Sequence, residues 1–308
     1  MNRWRSIGVN DQTGRRAVVT GANAGLGYQT ALALAGAGAE VVLAVRDLDR
    51  GQEAAQRIRE RIELAKLRVI LLDLGDLASV RDFAATQSAA GPLDLLVNNA
   101  GLMLVPRREL TVDGFESHMG VNHLGHFALT AQLLPALRSA PAGRVVSVTS
   151  LMLRSAGTLD HGLGLQDPYS PSAAYAQSKL AVALFATELE RRLRAADSTV
   201  TSVLAHPGWS ASGGRRPARP ARPVHRPASV RLASRATALL GTSARVGARP
   251  QVYAATVPDL SGGELIGPRF GVHGGPRPIR PPSSVTDPEQ AAWLWDESVR
   301  LTGVEPQI

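Results

Sequence analysis

The sequence predicts an α/β protein built on a doubly wound parallel sheet with helices on both faces. Two observations predict it. Short β-branched runs alternate with longer helical patterns, the signature of βαβ units, and a glycine-rich turn directly follows the first run and opens the first helical stretch.

In chain order, strands are expected near 17–20, 40–44, 68–72, 93–98, 144–149 and 200–205. Between them lie amphipathic or Ala-rich stretches that read as helices at about 26–36, 49–64, 79–89, 116–138 and 174–194. Parallel strands need such crossovers, and right-handed crossovers give one central sheet. Helical character resumes near 228–240, and a last helix is expected over 288–302, behind an Asp287 cap and Pro288 in the first turn. No internal repeat is present, and a single domain over 1–308 is expected.

Composition excludes several classes. Hydrophobic residues make up 44% of the 308 and charged residues 19%, a globular balance. Residues 1–14 carry two Arg without an apolar run behind them, so neither a secretory signal nor a membrane anchor is expected there. The most apolar stretch, 26–39, is too short to span a bilayer. A soluble cytoplasmic protein without membrane insertion is the expectation. With no Cys, disulfides and thiolate chemistry are ruled out.

The net charge of +8 is not spread over the chain. Residues 198–258 hold no Asp or Glu and nine Arg: Arg215, Arg216, Arg219, Arg222, Arg226, Arg231, Arg235, Arg245 and Arg249. Without them the remainder stands at about −1, so the basicity belongs to one segment. That segment has no interleaved aromatics over 213–250 and no recognisable reading helix, so specific nucleic-acid binding is not expected.

The first chemical motif is Thr20-Gly21-Ala22-Asn23-Ala24-Gly25-Leu26-Gly27. Glycine lets the backbone turn sharply, lets a pyrophosphate approach, and packs helix against strand. The helix N-terminus behind it offers free N–H groups and partial positive charge. Gly21, Asn23, Gly25, Leu26 and Gly27 are therefore candidate dinucleotide contacts.

More motifs follow at the strand ends. They are Asp73-Leu74, Asn98-Asn99-Ala100-Gly101, Asn122 within Val121-Asn122-His123-Leu124-Gly125-His126-Phe127, Ser150, Tyr175-Ala176-Gln177-Ser178-Lys179, and His206-Pro207-Gly208. Together with the Gly-x-x-x-Gly-x-Gly spacing, this ordered set resembles the short-chain dehydrogenase/reductase family. It is most similar to the retinol-dehydrogenase-like branch, which shares the long run 151–174 between serine and tyrosine. The resemblance covers 13–210 strongly and 250–303 more loosely. It implies a Rossmann-type fold and an oxidoreductase that interconverts an alcohol with an aldehyde or ketone. Among the cofactor contacts it adds Asp73, Leu74, Asn99, Ala100, Gly101, Pro207 and Gly208. It also implies pairing into homodimers or homotetramers through the helices at 116–138 and 174–194.

The tyrosine motif has its own physics. Tyr175 and Lys179 are four apart, so on a helix they share one face. A nearby ammonium stabilises a phenolate and is expected to lower the phenol pKa, which suits Tyr175 to general acid–base work on a carbonyl or alcohol. Ser150 would hydrogen-bond the substrate oxygen as charge develops on it. By resemblance, Lys179 also holds the nicotinamide ribose, and Asn122 keeps a water-linked proton route to solvent.

Cofactor choice turns on the end of the second strand, Ala44-Val45-Arg46-Asp47. An acid there accepts the 2′-hydroxyl of NAD, and a base accommodates the 2′-phosphate of NADP. By resemblance the acid position falls at Val45, so Arg46 argues for NADP(H) over NAD(H), unless Arg46 merely pairs with Asp47 or Asp49. His206 reads as a packed or backbone-bonded residue, and Ser212 keeps the hydroxyl with which relatives hold the carboxamide. His118, His123, His126 and His161 lack carboxylates at metal spacing, and no metal is expected.

The departure from the family is the Arg/Pro-rich segment 213–250, where relatives carry an apolar substrate lid. It reads either as a cationic lid favouring an acidic substrate or as tolerated divergence. A small lipophilic carbonyl or alcohol, retinoid-, steroid- or polyketide-like, is the expected substrate. The alternative function is a non-catalytic dinucleotide sensor on the same fold, against which the joint presence of Asn122, Ser150, Tyr175 and Lys179 argues.

Overall fold

The computed structural model describes residues 9–164, 167–208 and 243–308. The expected helix at 228–240, Ser212 and most of the segment 213–250 lie outside the described residues.

Eight strands form one sheet in the order β3-β2-β1-β4-β5-β6-β7-β8. The strands are β1 (Arg16–Thr20), β2 (Glu40–Val45), β3 (Leu67–Leu71), β4 (Leu95–Asn98), β5 (Arg144–Val148), β6 (Thr201–Ala205), β7 (Leu265–Pro268) and β8 (Pro276–Ile279). All neighbours run parallel except β7 and β8, which form an antiparallel hairpin. The six expected strands are present. The hairpin was not foreseen, because Leu-Ile-Gly-Pro and Pro-Arg-Pro-Ile carry proline in a run of four.

The helices are α1 (Gly25–Gly36), α2 (Leu48–Arg59), α3 (Leu77–Ala89), α4 (Gly125–Arg138), α5 (Pro171–Ala195), α6 (Arg249–Thr256) and α7 (Pro288–Thr302). Their ends follow local chemistry. Asp76 accepts from the N–H groups of Ala78 and Ser79 at 2.9 and 3.3 Å, and Asp287 caps α7 likewise through Glu289 and Gln290. Gly303, at φ +67°, ends α7 in the left-handed conformation that glycine tolerates. The helix expected over 116–138 is interrupted by a π-helical turn at Met119–Leu124, just where Asn122 sits.

Period-two alternation assigns the strand side chains to two cores. On one face Val19, Leu43, Val97 and Val146 pack with α1, α2 and α6. On the other, Val18, Val42, Leu96 and Val145 pack with α3, α4 and α5. Each fully buried Val, Leu or Phe contributes about 1.5–3 kcal/mol. Two buried arginines tie strand starts to helix ends: Arg16 donates to the carbonyls of Gln87 and Gly91, and Arg144 to those of Ala254 and Val257. Among the described residues no helix is long and apolar enough to cross a membrane.

The strand order reverses between β1 and β4, and in a doubly wound sheet such a switch point sets a crevice beyond the C-terminal ends of the strands. Ligands of doubly wound sheets bind there.

Candidate active site

Gly21 and Gly25 adopt φ of +66° and +56°, so the turn after β1 needs glycine at both. A Cβ on Gly27 would collide with the Gly21 carbonyl oxygen and the Asn99 amide, so α1 starts hard against the turn. No side chain caps α1 at Ala24 and no acid stands in its first turn. This cradle fits a dinucleotide pyrophosphate: a close backbone approach at a positive helix end.

Thr20 organises the two strand ends. Its Oγ1 accepts from the N–H groups of Asn99 and Ala100, each at 2.9 Å, and lies 2.9 Å from His126 Nε2. His126 Nδ1 faces the Asn122 carbonyl at 2.9 Å, so Nδ1 carries the ring proton and Nε2 accepts the Thr20 hydroxyl. Asn99 donates to the Thr20 carbonyl at 2.7 Å and accepts from Gln251 at 3.0 Å. Sequence reasoning missed Thr20, His126 and Gln251. Only the i,i+4 spacing of Asn122 and His126 hinted at one of them.

The cofactor-side motif residues sit at the same edge. Asp73 accepts from the Gly75 N–H at 2.9 Å, and buried Leu74 lies where α4 begins, its carbonyl touching the position of a Cβ on Gly125. Gly208 follows Pro207 at φ +68° and donates to His206 Nδ1 at 3.1 Å, which gives His206 the backbone-bonded place expected of it. Asp47 accepts from the Arg50 N–H at 3.1 Å as the cap of α2. No ion pair joins exposed Arg46 to Asp47 or Asp49 among the described residues.

Asn122, Ser150, Tyr175 and Lys179 are brought together at the ends of β4 and β5. Asn122 holds Leu102 by both backbone groups, accepting from its N–H at 2.7 Å and donating to its carbonyl at 3.1 Å. It also donates to Ser178 Oγ at 2.9 Å, which joins the π turn to α5. Ser150 caps the short 3-10 helix Leu151–Ser155, its hydroxyl accepting from the Met152 N–H at 3.3 Å, and lies near enough to the Tyr175 phenol to act on its ionisation. Lys179 is buried, its Nζ donating to the Val148 carbonyl at 2.9 Å and standing 6.0 Å from the Tyr175 ring centre.

One expectation is corrected here. The Tyr175 phenol is pushed up rather than down, because burial outweighs the opposing effect of the nearby Ser150 hydroxyl. Burial also lowers the Lys179 ammonium to about 8, and that charge reaches the ring from 6.0 Å without a direct bond.

Behind Tyr175 lies a buried group that the sequence did not reveal. His118 meets the Tyr175 ring edge-on with centres 6.1 Å apart. Its Nδ1 lies 2.8 Å from Glu116 Oε1, and its Nε2 accepts from the Val105 N–H at 3.2 Å. Burial alone would raise the Glu116 carboxyl, but hydrogen bonds from His118 and Met119 bring it below the usual range.

Comparison with known proteins agrees with this geometry. Residues 15–222 match the family described as short chain dehydrogenase. The chain is 46% identical over 302 residues to polyprenol dehydrogenase of Mus musculus, covering 95% of this chain and 85% of that one. It is 38% identical to retinol dehydrogenase 13 of Homo sapiens, covering 95% and 86%. A solved structure of an uncharacterized protein from Mycobacterium paratuberculosis superposes with a TM-score of 0.81 at 41% identity, covering 98% of both chains. The family binds NAD(P). The chain therefore belongs to the short-chain dehydrogenase/reductase family, as an oxidoreductase of CH–OH groups similar to the retinol dehydrogenases.

Proposed function

We propose that this chain reduces a lipophilic aldehyde or ketone with NADPH, and oxidises the corresponding alcohol with NADP, through Tyr175 as general acid and base. The observation that carries the reading is the grouping of Ser150 at the end of β5 near the Tyr175 phenol with Lys179 buried one turn further along α5, its Nζ 6.0 Å from the Tyr175 ring centre. The dinucleotide supplies or accepts the hydride. A phenol held protonated at neutral pH is ready to donate to a carbonyl oxygen. Ser150, already within reach of that phenol, would bind the same oxygen as it gains charge.

Lys179 would hold the nicotinamide ribose, and Asn122 would keep the proton route to solvent open. Gly21, Asn23, Gly25, Leu26, Gly27, Asp73, Leu74, Asn99, Ala100, Gly101, Pro207, Gly208 and Ser212 complete the cofactor contacts in this reading. Arg46 gives it the NADP preference, since a free guanidinium matches a 2′-phosphate better than a hydroxyl. The relatives named for polyprenol and retinol support a long apolar substrate. A cytoplasmic location belongs to the same reading.

The test is turnover of a panel of carbonyls with NADPH, followed at the nicotinamide absorbance. Reduction of apolar aldehydes is expected. No turnover of any member, in either direction, would contradict the proposal.

A further inference from the structure

The loop after β4 is gripped at two residues by two separate devices. Asn122 takes both backbone groups of Leu102. Three residues on, Val105 is held in the same manner: His118 Nε2 accepts its N–H at 3.2 Å, and the Tyr169 hydroxyl donates to its carbonyl at 3.2 Å. Glu116 backs the second grip, one oxygen 2.8 Å from His118 Nδ1 and the other accepting from the Met119 N–H at 2.9 Å, at the start of the π turn. Because Nε2 accepts, the His118 ring proton sits on Nδ1 and is donated to Glu116.

Between the grips, Leu104 adopts φ +53°, a conformation that a branched side chain rarely takes unless its surroundings impose it. Met103, although apolar, is left 46% exposed. The stretch runs from beside Lys179, whose Nζ lies 3.5 Å from the place of a Cβ on Gly101, to Val105 on His118, whose ring meets that of Tyr175 edge-on.

We propose that Glu116, His118 and Tyr169 clamp Val105 and so fix Met103 and Leu104 as a rigid apolar wall beside Tyr175, and that this wall seats the apolar chain of the substrate. The three are positioning residues. The selectivity half rests on the function proposed above. A fixed wall is complementary to one run of apolar atoms, and selectivity follows from how many of them it covers. A loosened wall yields to any of them.

The test uses the full chain with Tyr169→Phe, which removes one hydroxyl from a half-buried ring, and His118→Leu as the more severe variant. Hydrogen–deuterium exchange over residues 102–106 is expected to quicken by about tenfold or more in both variants, with β1 unchanged. With NADPH, kcat/KM is expected to fall about tenfold more for decanal than for propanal, and the Kd of NADPH to hold. Unchanged exchange over 102–106 in both variants would overturn the clamp. Equal losses for the two aldehydes would overturn the wall. If the unaltered chain turned over neither aldehyde, the function and the wall would fall together, and exchange alone would still decide the clamp.

Discussion

Thr20 Oγ1 and His126 Nε2 meet at 2.9 Å in a site closed to solvent, and this bond joins the end of β1 to the first turn of α4, directly after the π turn that carries Asn122. The same hydroxyl accepts the Asn99 and Ala100 N–H groups. Thr20→Val keeps the shape and takes the hydroxyl away from these three groups and from the Val97 carbonyl, 3.3 Å away. Each buried group left unpaired costs about 1–3 kcal/mol, so a loss of at least about 3 kcal/mol is expected. Thr20→Ser should recover most of it. Urea midpoints of the three proteins check this, and a stable valine variant would contradict it.

Arg46 is expected to discriminate between the cofactors. Arg46→Ala should weaken NADPH by about tenfold or more and leave NADH nearly unchanged, because only the 2′-phosphate offers a charged partner to the guanidinium. Titration of both cofactors decides it. Equal losses would make Arg46 structural.

Acid should destabilise the fold through three buried imidazoles. Burial lowers His123 to about 3, and His126 and His206 to about 4, against an ordinary value near 6.5. Below pH 6.5 the unfolded chain takes up protons that the folded chain cannot, so stability is full above that value and is lost as pH falls toward 4. The slope approaches about 1.4 kcal/mol per pH unit for each histidine. Thermal midpoints from pH 7.5 down to 4.5 should fall steeply below 6.5, and a flat profile would show that the folded chain protonates them without cost.

Trp295 of α7 lies against Phe127 of α4 at 5.4 Å and Phe185 of α5 at 6.0 Å, with Arg192 over its ring at 4.4 Å. The chain's own last helix thus covers the face of α5 and, through Trp295, touches α4, the two helices through which the resemblance implies pairing. Sedimentation at micromolar concentration is expected to give the mass of one chain. A dimer that persists on dilution would contradict this.

The sequence made the strand-end chemistry legible because each motif is local. Tyr175 and Lys179 share a helix face by spacing alone, and Gly21, Gly25 and Gly27 announce a turn and a close approach. It hid what depends on distant partners. Tyr169 and Glu116 meet across 53 positions, and Gln251 reaches Asn99 across 152. The direction of the Tyr175 shift escaped for the same reason: spacing placed a cation one turn away, whereas burial by the assembled fold decides the balance. Helix α6 was missed because Pro250 masks so short an element, although proline in a first turn begins a helix readily.

The central claim is that the Tyr175 hydroxyl moves the proton while Lys179 and the glycine turn hold the cofactor. Tyr175→Phe keeps the ring against His118 and removes only the hydroxyl, so it separates the two. The direct measurement is single-turnover reduction of an apolar aldehyde by NADPH in this variant, with the NADPH Kd taken on the same sample. The account predicts a loss of about a hundredfold or more in the rate with the Kd within about twofold, the size expected when a general acid is removed. A variant that reduces the aldehyde at the unaltered rate would contradict it.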